Sequence, residues 1–319
     1  MKKSNLFIIS AVLFSLAFAP AASAYWIWTP DSKKFVNPKY AVKDNPKDQY
    51  EWAMSFYEAK DYQRAAAEFE KLTKHYEYSE YAARSQYYVG LCYENMGKFY
   101  TAFLNYQKTI DNFPHIDNMD EIIAREFNIA NIYAVKESPK IMGTDIMTSI
   151  ERAIEIYKKV VDNSPYGKLA SEAQFKLGMA LKKAERYDEA IAAFQRVVDD
   201  YQASEFAEKA KYEVAACAYK SSLKPDYDIE STDKAIKAFE EFSQENYASD
   251  LSREASSTIQ RLKDKSAEKS MSVAKFYESQ KRYESALIYY QDVVDRFPDS
   301  SLINTARAKI EELKRKVKK

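Results

Sequence analysis

The sequence predicts an all-α fold, a solenoid of about six helical hairpins closed by a further C-terminal helix. Three observations carry this expectation. First, Ser171 to Tyr201 holds two amphipathic helical patterns with a tight break between them: Leu177, Gly178 and Leu181 share a face of the first, and Ala190, Phe194 and Val197 recur in the second, with Tyr187 just ahead. Second, the alanine that closes the second helix returns as Ala65, Ala102, Ala153, Ala190, Ala235 and Ala286, and an aromatic residue follows each four positions later, at Phe69, Tyr106, Tyr157, Phe194, Phe239 and Tyr290. Third, the alanines are spaced by 37, 51, 37, 45 and 51 residues, so 37 is the base period and the longer steps carry insertions of 14, 8 and 14. A single hairpin cannot bury its apolar faces, so a repeated one stacks on its neighbours.

The chain begins with the layout of a secretory signal peptide: Lys2 and Lys3, an apolar run from Leu6 to Phe18, then Ala22-Ser23-Ala24. Its apolar run is short for a membrane span, so residues 1–24 are expected to be removed and the mature chain to carry no transmembrane helix. No Cys follows the cleavage site, which argues against an acylated anchor. Loss of Lys2 and Lys3 leaves 46 basic against 48 acidic residues. With no basic excess to release counterions from phosphates, nucleic acid is not an expected partner.

Residues 25–46 read as an extended arm, punctuated by Pro30, Pro38 and Pro46, in which Trp26 and Trp28 fall on one side. Its aromatics either tuck against the first repeat or meet a partner or the membrane interface. Asn45 then caps a helix with Pro46 in its first turn. Six repeats are expected near 47–77, 79–114, 121–165, 170–202, 205–246 and 250–298, with a C-terminal helix over 302–319. The inward set of the first is Trp52, Phe56, Tyr62, Ala65, Phe69 and Leu72. Asp117 is the expected N-cap of the third, which carries an inserted loop around Pro139 and Gly143; a second loop surrounds Pro225-Asp226-Tyr227 in the fifth. Leu251 to Tyr277 continues a helical period without Gly or Pro, predicting one helix of roughly 40 Å at about 1.5 Å per residue. The final helix ends in Lys314, Arg315, Lys316, Lys318 and Lys319, either a solvated tail or a contact for anionic lipid or an acidic partner.

Catalytic constellations fail by elimination. The five glycines are used at helix packing positions (Gly90, Gly178), in turns (Gly97, Gly167) and in the insertion (Gly143), leaving no phosphate loop. His75 and His115 have no metal-ligand spacing with another His or Cys. Cys92 and Cys217 lie three repeats apart; with helices about 8–10 Å apart they cannot be bridged, and both read as small buried hydrophobes. No enzyme, cofactor or metal is expected. Lys182 reads as a solvated surface residue. Three positions before the small residue of each first helix stand Tyr50, Tyr87, Phe127, Phe175 and Tyr212, with Met271 in the sixth repeat. These rings either pack between helices or line the concave face. On the second reading Tyr50, Met54, Tyr57, Tyr87, Leu91 and Phe127 form a peptide-binding groove.

The spacing Leu-Gly-x2-Leu followed by Ala-x3-Phe resembles the tetratricopeptide repeat. Beyond that, residues from about Asp48 to Ala306 resemble the BamD (YfiO/ComL-type) family of the bacterial β-barrel assembly machinery, in two blocks. Gln49 to His115, with Pro114-His115 after the second repeat, is similar to that family's first two repeats; Ser231 to Ser301 is similar to its long helix and the repeat after it. Repeats three and four stand between the blocks as an additional pair. The resemblance implies a non-enzymatic periplasmic scaffold, associated with the outer membrane. Its N-terminal repeats would receive unfolded outer-membrane proteins through a C-terminal strand, and its C-terminal repeats would dock on the barrel-forming subunit. A periplasmic organiser similar to the Tol-Pal tetratricopeptide proteins, or an export or polysaccharide scaffold, is the alternative.

Overall fold

A computed structural model describes residues 27–29, 34–36, 41–136, 148–221, 229–246 and 249–317. Two short strands come first, β1 (Ile27–Thr29) and β2 (Lys34–Val36), paired antiparallel with Trp28 opposite Phe35. The helices are α1 (Pro46–Glu58), α2 (Tyr62–His75), α3 (Glu80–Asn95), α4 (Phe99–Asn112), α5 (Met119–Val135), α6 (Ser149–Asn163), α7 (Ala170–Lys183), α8 (Tyr187–Asp200), α9 (Ala207–Ser221), α10 (Ile229–Glu245), α11 (Asp250–Ser279), α12 (Tyr283–Arg296) and α13 (Ile303–Val317). The chain forms two compact units, Met1–Phe113 and Pro114–Lys319. Consecutive helices pack pairwise within each. The expected signal peptide, Trp26 and both inserted loops lie outside the described residues.

The helix ends follow local chemistry. Asn45 Oδ1 accepts from the Asp48 amide at 2.9 Å with Pro46 at the start of α1, and Thr148 Oγ1 accepts from the Glu151 amide at 3.3 Å at the start of α6. The expected cap at Asp117 gives way to Asn118, because the Met119 amide turns back to the Ile116 carbonyl and α5 begins one residue later. The turns inside hairpins one, two, four and six place Lys60, Gly97, Glu185 and Lys281 at φ between 59° and 71°. All four stand seven residues after the small residue of the first helix. There the amide of the following residue reaches five residues back, as in Asp61 to the Phe56 carbonyl at 2.9 Å and Arg282 to the Tyr277 carbonyl at 3.0 Å. This is a Schellman closure, in which one left-handed residue lets the backbone satisfy the last carbonyls of the helix.

The hairpins close through the repeating residues. All six ruler alanines are fully buried, and the rings four positions on are no more than 1% exposed. Each of the first five packs against the ring from the preceding helix: Tyr50 on Phe69, Tyr87 on Tyr106, Phe127 on Tyr157, Phe175 on Phe194 and Tyr212 on Phe239, with centroids 5.5 to 6.0 Å apart. Gly90 and Gly178 let these rings in. A Cβ on Gly178 would stand 2.5 Å from the Phe194 ring, and one on Gly90 would fall on the Tyr106 ring.

A polar clamp accompanies the rings. Gln49, Gln86 and Gln174 are buried, one residue before the aromatic, and each meets a residue nineteen positions on in the second helix: Gln49 Nε2 donates to Glu68 O and Oε2 at 3.0 and 2.9 Å, Gln86 Nε2 to Asn105 Oδ1 at 3.2 Å, and Gln174 Nε2 to Ala193 O at 2.9 Å. A buried amide without such a partner is costly, so the bond fixes the register of each hairpin.

In the second unit α11 serves two cores. Its first half places Ala255 and Leu262 among Ala215, Ala235, Phe239 and Phe242, and its second places Ala267, Met271 and Ala274 among Ala286, Tyr290 and Val293. Helix α13 closes this second core with Ala306, Ile310 and Leu313. The first repeat departs from expectation at Trp52, which is 43% exposed. No helix precedes α1 among the described residues, and the indole meets the Phe56 ring in an edge-to-face contact at 4.9 Å and the Lys43 ammonium at 4.4 Å.

Candidate functional site

The six residues expected to line a groove divide between the two units. Tyr50, Met54 and Tyr57 on α1 and Tyr87 and Leu91 on α3 lie in the first; Phe127 on α5 lies in the second. Tyr50, Met54 and Tyr57 are half-buried, all packed against the core of Ala53, Ala65, Phe69 and Val89. Tyr87, Leu91 and Phe127 are only 6–7% exposed. Tyr87 is taken up by Tyr106 and Tyr88, and Phe127 is wedged against Tyr157 with the Lys176 ammonium 4.8 Å above its ring. For these three, burial favours packing between helices, the other of the two readings, over an open groove wall.

The geometry adds a residue that the repeat pattern does not single out. Tyr88 stands at the centre of the first-unit rings, 5.2 Å from Phe69 in a stacked arrangement, 5.0 Å from Tyr57, 6.1 Å from Tyr50 and 5.8 Å from Tyr87. Tyr62 reaches Tyr57 at 5.5 Å, and Tyr81 reaches Tyr50 at 5.3 Å. The adjacent Tyr87-Tyr88 pair was visible in the sequence, but only the helix pairing shows that the second ring bridges α1, α2 and α3. Burial, helped by the neighbouring Tyr88, pushes the Tyr50 hydroxyl up to about 12, and burial likewise raises Tyr57. Both stay neutral donors at any physiological pH, so these two side chains offer apolar rings with uncharged hydroxyl edges. Such a surface suits an apolar or aromatic segment with backbone groups to satisfy.

At the arm, Trp28 and Phe35 meet edge to face across the strand pair with centroids 5.4 Å apart and are 50% and 64% exposed. The arm's extended reading thus gains an antiparallel pairing. Among the described residues no group of three His, Cys, Asp or Glu side chains could hold a metal, and no helix is long and apolar enough to cross a membrane. Cys92 on α3 and Cys217 on α9 are free thiols, both buried, and burial raises them to about 12 and about 11.

A family model described as YfiO, outer membrane lipoprotein, matches residues 145–318, more than half of the chain, and one described as tetratricopeptide repeat matches residues 50–115. The first match spans α6 to α13, so of the additional pair of repeats expected between two similar blocks, α5 to α8, the last three helices lie inside it. No curated protein matches the chain. Similar solved structures include the C-terminal part of a tetratricopeptide protein from Cytophaga hutchinsonii, at 15% identity over 84% of this chain and 88% of that one with a TM-score of 0.33. They also include a thermophilic tetratricopeptide protein of Thermus thermophilus, at 14% over 67% and 99% with a TM-score of 0.31. MamA of Desulfovibrio magneticus is similar at 15% over 66% and 99%, with a TM-score of 0.31. By the extent of the first family match, the chain belongs to the YfiO family of outer membrane lipoproteins.

Proposed function

We propose that the protein is a non-enzymatic scaffold of outer-membrane biogenesis that receives unfolded outer-membrane β-barrel proteins and docks on the barrel-forming assembly subunit. The carrying observation is the YfiO match across α6 to α13; tetratricopeptide repeats before it supply a second surface for protein partners. Lys2-Lys3, the Leu6–Phe18 run and Ala22-Ser23-Ala24 support export to the periplasm. Attachment to the outer membrane would not use Cys92 or Cys217, which are buried within helices.

In this reading the half-buried rings of Tyr50 and Tyr57, with Met54 between them, meet the client and are backed by Tyr88, while Tyr87 and Leu91 are buried in the first unit and Phe127 serves its own unit. Tyrosines give large contact area at low rotamer cost, which suits many related sequences. An unfolded client loses ordering entropy on binding, so each contact is expected to be weak. The test of docking is affinity isolation of the full chain from cross-linked envelopes. Recovery of the barrel-forming subunit is expected; recovery of Tol-Pal components in its place would overturn the proposal.

A further inference from the structure

Trp28 and Phe35 stand opposite one another in the β1–β2 register, so they share one face of the strand pair and meet there edge to face. That contact still leaves Trp28 50% and Phe35 64% exposed. The sequence allows the arm's aromatics either to tuck against the first repeat or to turn outward, and this exposure favours the outward reading.

Two observations bear on what the pair meets. One is the chemistry of the arm. Trp is favoured at the boundary between membrane and water, where its ring sits at headgroup level, and residues 25–46 hold two of the three Trp of the chain. The same residues carry Lys33, Lys34, Lys39 and Lys43 against Asp31 and Asp44. With Lys43 set aside, because its ammonium lies over the Trp52 ring, the arm keeps a basic balance in a chain of 48 basic and 48 acidic residues. Lysines beside interfacial aromatics are drawn to anionic headgroups. The other observation is the family. Its model is described as an outer membrane lipoprotein, yet both cysteines of this sequence are buried in helices, Cys92 in α3 and Cys217 in α9. Neither thiol is placed to carry an acyl chain in the folded protein, so within this sequence a hold on the membrane falls to other side chains.

We propose that the β1–β2 strand pair is a membrane anchor, with Trp28 and Phe35 seated among the headgroups of an anionic phospholipid surface and the lysines of the arm supplying charge attraction. Two rings bury little apolar area, so the hold is reversible. The proposal rests on the outer-membrane reading of the protein.

The test is co-sedimentation of the mature chain from Tyr25 with vesicles of phosphatidylethanolamine and phosphatidylglycerol, and with vesicles of phosphatidylcholine alone. Vesicles contain no assembly subunit, so failure here and failure of docking are read separately. The wild type is expected to bind the anionic vesicles at least threefold more tightly than the neutral ones, with weakening at higher salt. The double variant Trp28→Ala, Phe35→Ala is expected to lose at least tenfold. Both rings are exposed, so their removal leaves the helical cores intact, which circular dichroism checks. As a second readout, in cells, a photo-reactive phenylalanine derivative replacing Phe35 is expected to cross-link to phospholipid, detected by mass spectrometry, and one replacing exposed Lys158 on α6 is not. Absence of vesicle binding, equal binding to the two vesicle types, undiminished binding by the folded double variant, or capture of protein without lipid at Phe35 would overturn the proposal.

Discussion

At the scale of residues, the hairpins rest on a few positions where volume is fixed by what stands opposite. Gly178 faces Phe194 and Ala190 is fully buried, so Gly178→Leu, Gly90→Leu or Ala190→Leu is expected to lower stability by about 1–3 kcal/mol or more through overpacking, measured by urea unfolding. Gly97 meets nothing within 4 Å of a built Cβ, yet holds φ at 71°. Gly97→Ala is therefore expected to cost about 1 kcal/mol from backbone conformation alone. Lys182, read from sequence as passive, is half-buried and pairs with Glu213; exposed Lys158 is the better neutral control. The raised, buried thiols of Cys92 and Cys217 predict no fast reaction with a thiol reagent at pH 8 in the folded chain and two equivalents in denaturant. The ring four positions after each alanine was legible because its period is fixed. The glutamine clamp was not: a lone Gln on a helix looks solvated until its partner nineteen residues on is in view.

At the scale of elements, the C-terminal end of the second unit depends on α13 covering α12. Deleting residues 302–319 would bare Tyr290, Val293 and Phe297, and is expected to lower the urea midpoint and promote self-association on gel filtration. Glu278 at the end of α11 ties these helices together, accepting from Lys309 Nζ on α13 at 2.9 Å and from the Tyr290 hydroxyl on α12 at 2.8 Å. Burial alone would raise its carboxyl, but the bonds from Lys309 and Tyr290 prevail and hold it below the usual range. A folded value below the unfolded one gives stability present above the ordinary carboxylate pKa of about 4.3 and lost as pH falls through the folded value. Acidification below pH of about 4 should thus loosen this end first, and Glu278→Gln should flatten that dependence in urea titrations followed at different pH. The long helix was legible from an unbroken apolar period. Its division between two cores depends on which helices pack on either half, and periodicity is silent about that.

At the scale of the whole molecule, the repeat period gave the hairpin organisation, because a helix pair that buries one face must recur. Family resemblance was legible too, although the extent of the match differs from the two blocks expected; self-similar repeats allow one register to be mistaken for another, and only the full match places α6 to α8 within it. The proposed client surface was least legible. An aromatic three residues before a small one serves equally as groove wall or as hairpin filling, and burial decides: Tyr87 and Phe127 fill, while Tyr50 and Tyr57 keep an open edge. The most direct measurement is binding of peptides bearing the C-terminal strand of outer-membrane proteins, ending in an aromatic residue, to the full chain and to the Tyr50→Ala, Tyr57→Ala variant, with folding checked by circular dichroism. A loss of at least tenfold in affinity by a folded variant is the predicted result; equal binding by the folded variant and the wild type would contradict it.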